Sequence, residues 1–195
     1  MEHLFIQGTS ENGRVLLMLH GSNGTEKDLI PLLKKLDPEA SVLSIRGNLK
    51  DKENYCFVNK DSSILNETKA VYQFIKEAEE KYRFHRNNLI AIGLTNGATM
   101  ALSLLFHHPD AFKGTILYHP NIPVQDSKLP SLEGIDVFIG ASKNNSYCKV
   151  EETLEIEDKL KKANANVTVH WEYSKHYLTG EIFAASRAWY REKYK

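Results

Sequence analysis

The chain has 195 residues, of which 42% are hydrophobic and 26% are charged, a composition typical of one globular domain and not of a disordered chain. Its 25 basic and 25 acidic residues balance, which argues against a nucleic-acid-binding protein and against attachment to an anionic membrane surface. Two cysteines are too few for a disulfide framework, no segment reaches the ~20 apolar residues of a membrane helix, and the N-terminus lacks a signal peptide, so a cytoplasmic protein is expected.

Apolar runs alternate with amphipathic segments along the chain. An edge strand at 3–7 is followed by Asn12-Gly13, a typical hairpin turn signal, and then by a strand at 14–19. Pro31 is compatible with a helix because it lies in the first turn. The remaining predicted elements are helix 28–36, strand 41–46, a polar loop 47–62, helix 64–82, strand 89–94, helix 96–107, strand 115–118, loop 119–134, strand 136–140, helix 150–163, strand 166–172 and a closing helix from 179.

Strands that alternate with helices predict βαβ units, and these build a parallel sheet with helices on both faces. The sequence therefore predicts one α/β domain over residues 1–195, with a mostly parallel central sheet of about seven strands. Ligands bind beyond the carboxyl ends of the strands in such a sheet. Candidate functional residues are therefore sought in the loops that follow the strands.

The segment Gly93-Leu94-Thr95-Asn96-Gly97 matches the nucleophile-elbow motif G-x-S-x-G, with threonine in the place of serine. It follows a predicted strand and precedes a predicted helix, which is the context that lifts one hydroxyl clear of the sheet. Gly93 and Gly97 allow the backbone to approach closely there. The motif indicates an α/β-hydrolase fold.

Three other loops at strand ends occupy the places where an acyl-transfer enzyme of this fold carries its remaining functional groups. The backbone N–H groups of Ser22, in the loop after strand 14–19, and of Asn96 are the predicted donors to an oxyanion. His176, in the loop after strand 166–172, lies where a general base belongs, because the chain order of these hydrolases is nucleophile, acid, histidine. The loop at 141–148 lies where the acid belongs, but it contains no carboxylate, and the acid position itself offers only amides and hydroxyls.

Taken together, these segments resemble the phospholipase/carboxylesterase family of bacterial α/β-hydrolases, particularly its quinone-responsive cytoplasmic branch. The resemblance implies that the nucleophile falls on Thr95, the catalytic acid on Asn145 and the histidine on His176. The stretch between Gly47 and Thr68 is shorter than in that family. The resemblance covers nearly the whole chain and rests on LLMLHGSNGTEKDLIPL, ASVLSIRGN, FHRNNLIAIGLTNGA, GTILYHP, VFIGASKNNSYC, NANVTVHWE and KHYLT.

Both departures from the triad weaken the expected chemistry. A β-branched residue is strained at positive φ, so Thr95 is expected to relax the turn and misalign its hydroxyl. Asn145 can accept a hydrogen bond from His176 but supplies no negative charge to an imidazolium. Asp126, in the loop at 119–134, is an alternative acid.

The sequence therefore predicts a hydrolase of small carboxylic esters or thioesters with a degenerate Thr-His-Asn triad and weak activity on generic esters. The alternative is a catalytically inactive pseudoenzyme that binds or senses a small aromatic or acyl ligand, such as a hydroquinone. No cofactor and no metal are expected, because the eight histidines show no short ligand spacing. A small-molecule ester or aromatic ligand is the expected partner, and a homodimer is compatible with the sequence.

Overall fold

The structure is a computed structural model that describes residues 1–11, 13–51, 54–123, 129–175 and 178–195. Its strands are β1 (His3–Ile6), β2 (Val15–Leu19), β3 (Ser41–Ile45), β4 (Leu49–Asp51), β5 (Asn54–Cys56), β6 (Leu89–Leu94), β7 (Gly114–Tyr118), β8 (Asp136–Ser142) and β9 (Asn166–Glu172). Its helices are α1 (Ile30–Leu36), α2 (Ile64–Tyr82), α3 (Asn96–His107), α4 (Val150–Lys162) and α5 (Gly180–Tyr194).

In the described part of the chain, one seven-stranded sheet has the order β1-β3-β2-β6-β7-β8-β9. Its neighbouring strands run parallel, except that the edge strand β1 is antiparallel to β3. The carboxyl ends of β2, β6, β8 and β9 therefore lie along one edge of the sheet. This edge carries the loops in which the sequence predicts the site, and the predicted α/β fold is confirmed.

Two apolar layers cover the sheet, one on each face. Along β2, Val15, Leu17 and Leu19 contribute to one layer, while Leu16 and Met18 contribute to the other, as the two-residue period of a strand requires. The first layer includes buried side chains of α2, α3 and α4, and the second includes those of α1 and α5. Helices on both faces bury the inner parallel strands β2, β3, β6, β7 and β8 almost completely, which explains their largely apolar sequences, whereas the edge strand β9 stays partly exposed.

A buried carboxylate binds the C-terminal end of α5 to the residues that precede β2 and follow α1. Asp37, directly after α1, is 0% exposed and accepts hydrogen bonds from Arg14 Nε at 2.8 Å, Tyr190 Oη at 2.8 Å and Lys195 Nζ at 2.9 Å. Burial raises the pKa of Asp37, but the hydrogen bonds from Lys195, Arg14 and Tyr190 lower it by a larger amount, so the pKa is about 2. The ionised carboxylate is therefore part of the folded state.

Two predictions about connections are wrong. The Asn12-Gly13 segment does not close a hairpin, because β1 pairs with β3 and not with β2; Asn12 itself lies outside the described residues. The polar loop at 47–62 contains the short strands β4 and β5, which pair antiparallel in a sheet of their own. Strands of three residues carry too little hydrophobic pattern to be detected in a sequence.

No helix among the described residues combines the length and the hydropathy that crossing a membrane would require.

Candidate active site

The predicted elbow forms a tight turn between β6 and α3. Thr95 connects the two elements with φ 49° and ψ −106°, a conformation in which a β-branched residue is strained. Its N–H donates to Tyr118 O at 2.8 Å, and its carbonyl accepts from the N–H of Thr99 at 2.9 Å. The turn keeps its strained form, so the expectation that threonine relaxes it is wrong.

Close backbone approach explains both glycines of the elbow. A Cβ on Gly97 would lie 2.1 Å from Leu19 O, and a Cβ on Gly93 would lie 2.5 Å from the backbone of α3. A Cβ on Gly21 would lie 2.9 Å from Thr95 Oγ1. The hydroxyl of Thr95 therefore lies against the loop that follows β2.

His20 holds this loop in place from inside the protein. It is 1% exposed, and its Nε2 accepts a hydrogen bond from the N–H of Gly47 at 3.0 Å. The proton of the neutral ring must then be on Nδ1, which donates to Gly21 O at 2.7 Å. Burial lowers the pKa of His20, which favours this neutral form. His20 is a structural histidine, because both of its ring nitrogens are engaged by the backbone.

Two backbone donors lie beside the Thr95 hydroxyl. Ser22 follows Gly21, which contacts that hydroxyl, and Asn96 follows Thr95 at the start of α3. Neither the N–H of Ser22 nor that of Asn96 donates to another group of the described residues. Both are available to a ligand oxygen, and the N–H of Asn96 also has the positive end of the α3 dipole behind it.

The side chain of Asn96 has a second function that sequence reasoning missed. Its Oδ1 accepts from the N–H groups of Phe57 at 2.7 Å and Val58 at 3.1 Å, and its Nδ2 donates to Val58 O at 2.6 Å. These three bonds attach the segment after β5 to the elbow. An asparagine at the start of a helix is typical of an ordinary cap, so the sequence gives no signal of this contact.

A cleft of about 1100 Å³ opens in front of Thr95. Amides, hydroxyls and apolar side chains dominate its wall, and within the described residues Lys60 is its one charged side chain. The lining consists of Gly21, Ser22, Asn23, Val58, Asn59, Lys60, Ser62, Ser63, Ile64, Leu65, Leu94, Thr95, Asn96, Thr99, Asn121, Ile122, Pro123 and Tyr147. Its volume suits a small-molecule ligand.

Asn145 is buried in the loop after β8, with 7% of its surface exposed. Its Oδ1 accepts from the N–H groups of Tyr147 at 2.9 Å and Cys148 at 3.1 Å. Because both donors are backbone N–H groups, this side-chain atom must be the carbonyl oxygen and not the amide nitrogen. The amide is thus fixed with its oxygen turned towards its own loop.

Two residues predicted from the sequence, His176 and the alternative acid Asp126, lie outside the described residues. The described flanks of the His176 loop are bound to Glu172, the last residue of β9, through Ser174 and Thr179. The sequence analysis does not predict a role for Glu172. A single glutamate at the end of an apolar strand, VTVHWE, was the available signal.

Burial disfavours the thiolate form of Cys148, in the loop after β8. Cys148 Sγ donates to His119 O at 3.1 Å, and burial, together with the nearby Glu152 carboxylate, raises the pKa of the thiol to about 12. Cys56 is also buried, with 6% exposed. Among the described residues, no group of three or more His, Cys, Asp or Glu side chains is arranged to hold a metal ion.

Comparison with known proteins gives a consistent set of relatives. The sequence model of the dienelactone hydrolase family matches residues 50–178. The Bacillus subtilis (strain 168) protein named "Putative hydrolase MhqD" is 38% identical over 199 residues, with 98% of each chain covered.

Solved structures agree with these sequence matches. The Bacillus cereus carboxylesterase superposes with a TM-score of 0.95 at 41% identity, covering 98% of this chain and 94% of that one. A carboxylesterase from Mesorhizobium loti superposes with a TM-score of 0.87 at 24% identity, covering 94% and 90% of the two chains. The second match, at its lower identity, supports the fold alone.

Proposed function

Because the chain belongs to the dienelactone hydrolase family, we propose that this hydrolase cleaves small carboxylic esters or thioesters through an acyl-enzyme formed on Thr95. The observation that carries the proposal is the elbow itself. Thr95 keeps the strained backbone at φ 49°, and its hydroxyl lies against Gly21, beside the available N–H groups of Ser22 and Asn96. Backbone strain of this kind persists where the surrounding structure enforces it, typically at functional sites.

The proposed reaction has two halves. Thr95 Oγ1 attacks the acyl carbon while His176 takes the hydroxyl proton, and the carbonyl oxygen becomes an oxyanion held by Ser22 and Asn96. The tetrahedral intermediate then expels the alkoxide or thiolate, which receives the proton from His176. Water attacks the acyl-threonine ester in the same way, releasing the carboxylic acid and restoring the Thr95 hydroxyl.

A second candidate function is supported by the orientation of Asn145. Its oxygen is engaged by the N–H groups of Tyr147 and Cys148, so a neighbouring base would meet the Nδ2 group, which only donates. A histidine that accepts from this amide carries its proton on the other ring nitrogen and is not ready to act as a base. This observation favours a pseudoenzyme that binds or senses a small aromatic or acyl ligand in the cleft.

Hydrolysis of p-nitrophenyl acetate tests the first proposal. We expect wild type to exceed Thr95→Val, which removes the hydroxyl but keeps the branched shape of the side chain. Thr95→Ser removes the methyl that would hinder the approach of the acyl carbon, and it is expected to raise the rate by about 100-fold, the effect of a ~1 Å change in that approach.

The two functions give opposite results in this assay. Equal rates for wild type and Thr95→Val, with no gain in Thr95→Ser, would contradict the hydrolase proposal. A ligand-dependent rise in Tm across a panel of small aromatic and acyl compounds would then support the binding protein. Mass spectrometry of an acylated Thr95 peptide, absent from Thr95→Val, would establish the covalent route directly.

A further inference from the structure

Glu172 holds both ends of the loop between β9 and α5. It is 5% exposed, and Thr179 Oγ1 donates to its Oε2 at 2.6 Å, while Ser174 Oγ donates to its Oε1. Thr179 is also the N-cap of α5, since its Oγ1 accepts from the N–H of Ile182 at 3.2 Å. One carboxylate therefore joins the first part of the loop to the start of the next helix.

The same end of β9 is attached to the loop that carries Asn145. Glu172 O accepts from the N–H of Lys143 at 2.9 Å, and Tyr173 O accepts from Asn144 Nδ2 at 3.0 Å. Ser142, at the end of β8, donates its hydroxyl to Ser174 O. The acid-position loop and the described start of the His176 loop thus form one connected unit.

We propose that Glu172 is a positioning residue that determines where His176 stands by clamping Ser174 and Thr179 on either side of it. The inference rests on the proposed function, in which His176 transfers the proton. We assign Glu172 to the loop and not to the triad, since the hydroxyls of Ser174 and Thr179 already bind one acceptor site on each of its oxygens. Its effect depends on the reach of the side chain and not on its charge.

Two conservative variants separate reach from charge. Glu172→Gln keeps the length of the side chain, so its carbonyl oxygen can still accept from the hydroxyl of Thr179. Its amide group would donate to Ser174 Oγ, and the Ser174 hydroxyl would then donate to Lys175 O, which lies 3.1 Å from Oγ. Glu172→Asp keeps the charge but is shorter by one methylene, so it cannot reach both hydroxyls. Clamping therefore predicts that Glu172→Gln stays within about threefold of the parent, whereas Glu172→Asp and Glu172→Ala lose about 100-fold in kcat.

The kinetic assay uses wild type, or the Thr95→Ser/Asn145→Asp double variant if wild type is silent. KM is expected to change little, because no residue of the 172–175 segment lines the described cleft. The pH profile of kcat/KM is expected to keep its midpoint in Glu172→Gln. A kcat lost in Glu172→Gln and retained in Glu172→Asp would overturn the clamp in favour of a catalytic carboxylate.

Hydrogen–deuterium exchange of the 173–179 peptide tests the clamp without any activity. Glu172→Ala and Glu172→Asp are expected to exchange faster than wild type there, and Glu172→Gln and the control Glu181→Ala are expected to match wild type. Glu181 lies in the first turn of α5 with an exposed side chain. Unchanged exchange in Glu172→Ala would overturn the clamp. An inactive double variant with faster exchange in Glu172→Ala would instead refute the proposed hydrolase and leave the clamp supported.

Discussion

Asn145, at the predicted acid position, offers the sharpest test of the proposed active-site geometry, because the hydrogen bonds of its Oδ1 decide the orientation of the side chain. In Asn145→Asp, one carboxylate oxygen keeps the two N–H bonds that Oδ1 now accepts at 2.9 and 3.1 Å. The other oxygen replaces the Nδ2 group, so a donor becomes a charged acceptor. A neighbouring histidine would then hold its proton on the ring nitrogen next to the carboxylate and present the other nitrogen as a base.

The reverse substitution in a serine protease lowers turnover about 10⁴-fold, equivalent to about 5.5 kcal/mol in activation free energy. That value is an upper bound here, because Asn145→Asp leaves in place the methyl of Thr95, which we propose hinders the approach of the acyl carbon. We expect Asn145→Asp to raise kcat/KM on p-nitrophenyl acetate by about 100-fold alone, and further when combined with Thr95→Ser. Burying the new charge is expected to lower Tm by about 2–4 °C per kcal/mol of lost stability.

Ser146→Asp is the matched control, since it adds the same charge at the next, exposed residue of the loop. If Asn145→Asp gains no more activity than Ser146→Asp, the orientation of the amide does not limit the reaction. A gain common to both would point to the net charge of the loop instead.

Three further predictions concern the scaffold. Gly97→Ala is expected to destabilise the fold, because its Cβ would lie 2.1 Å from Leu19 O. A Cβ on Gly180 would have no neighbour within 4 Å, so Gly180→Ala is expected to be neutral or stabilising. The Tm of Gly97→Ala should therefore lie below that of Gly180→Ala. The pKa of Asp37 is lowered from 3.8 to about 2, so its ionised form contributes about 2 kcal/mol to the free energy of unfolding. This contribution is fully present above pH ~4 and is lost as the pH falls towards 2. Asp37→Asn should abolish this part of the pH dependence, as measured by urea titrations at several pH values. Cys148, with its thiol pKa near 12, should resist iodoacetamide at pH 8 in the folded protein and react once urea unfolds the chain.

The sequence predicts the positions of helices and strands, because their apolar residues recur with the period of a buried face. It does not predict which strands lie next to each other in the sheet. Helix α2 has the predicted bounds because its apolar residues recur at helical spacing over five turns. The hairpin predicted between the first two strands does not form, since a turn signal reports local conformation and not which strand lies alongside. The elbow was found because its glycines and hydroxyl are contiguous.

The contacts that organise the site were harder to predict. The side chain of Asn96 reaches residues 57–58, nearly forty positions away in the sequence, and nothing in its local context indicates that distance. Glu172 binds hydroxyls only two and seven residues away, but serine and threonine near a helix start are common for other reasons. Such contacts become visible only when the loops are assembled in three dimensions.

At Thr95, the backbone strain lowers the stability of the fold, while the hydroxyl is the group on which the proposed chemistry depends. A β-branched residue at φ 49° costs about 1–3 kcal/mol relative to relaxed backbone, whereas glycine adopts positive φ without a steric penalty. A selection for heat tolerance alone would therefore favour glycine at position 95 and would discard the only hydroxyl that the elbow presents. Any variant designed to stabilise this protein should therefore keep Thr95.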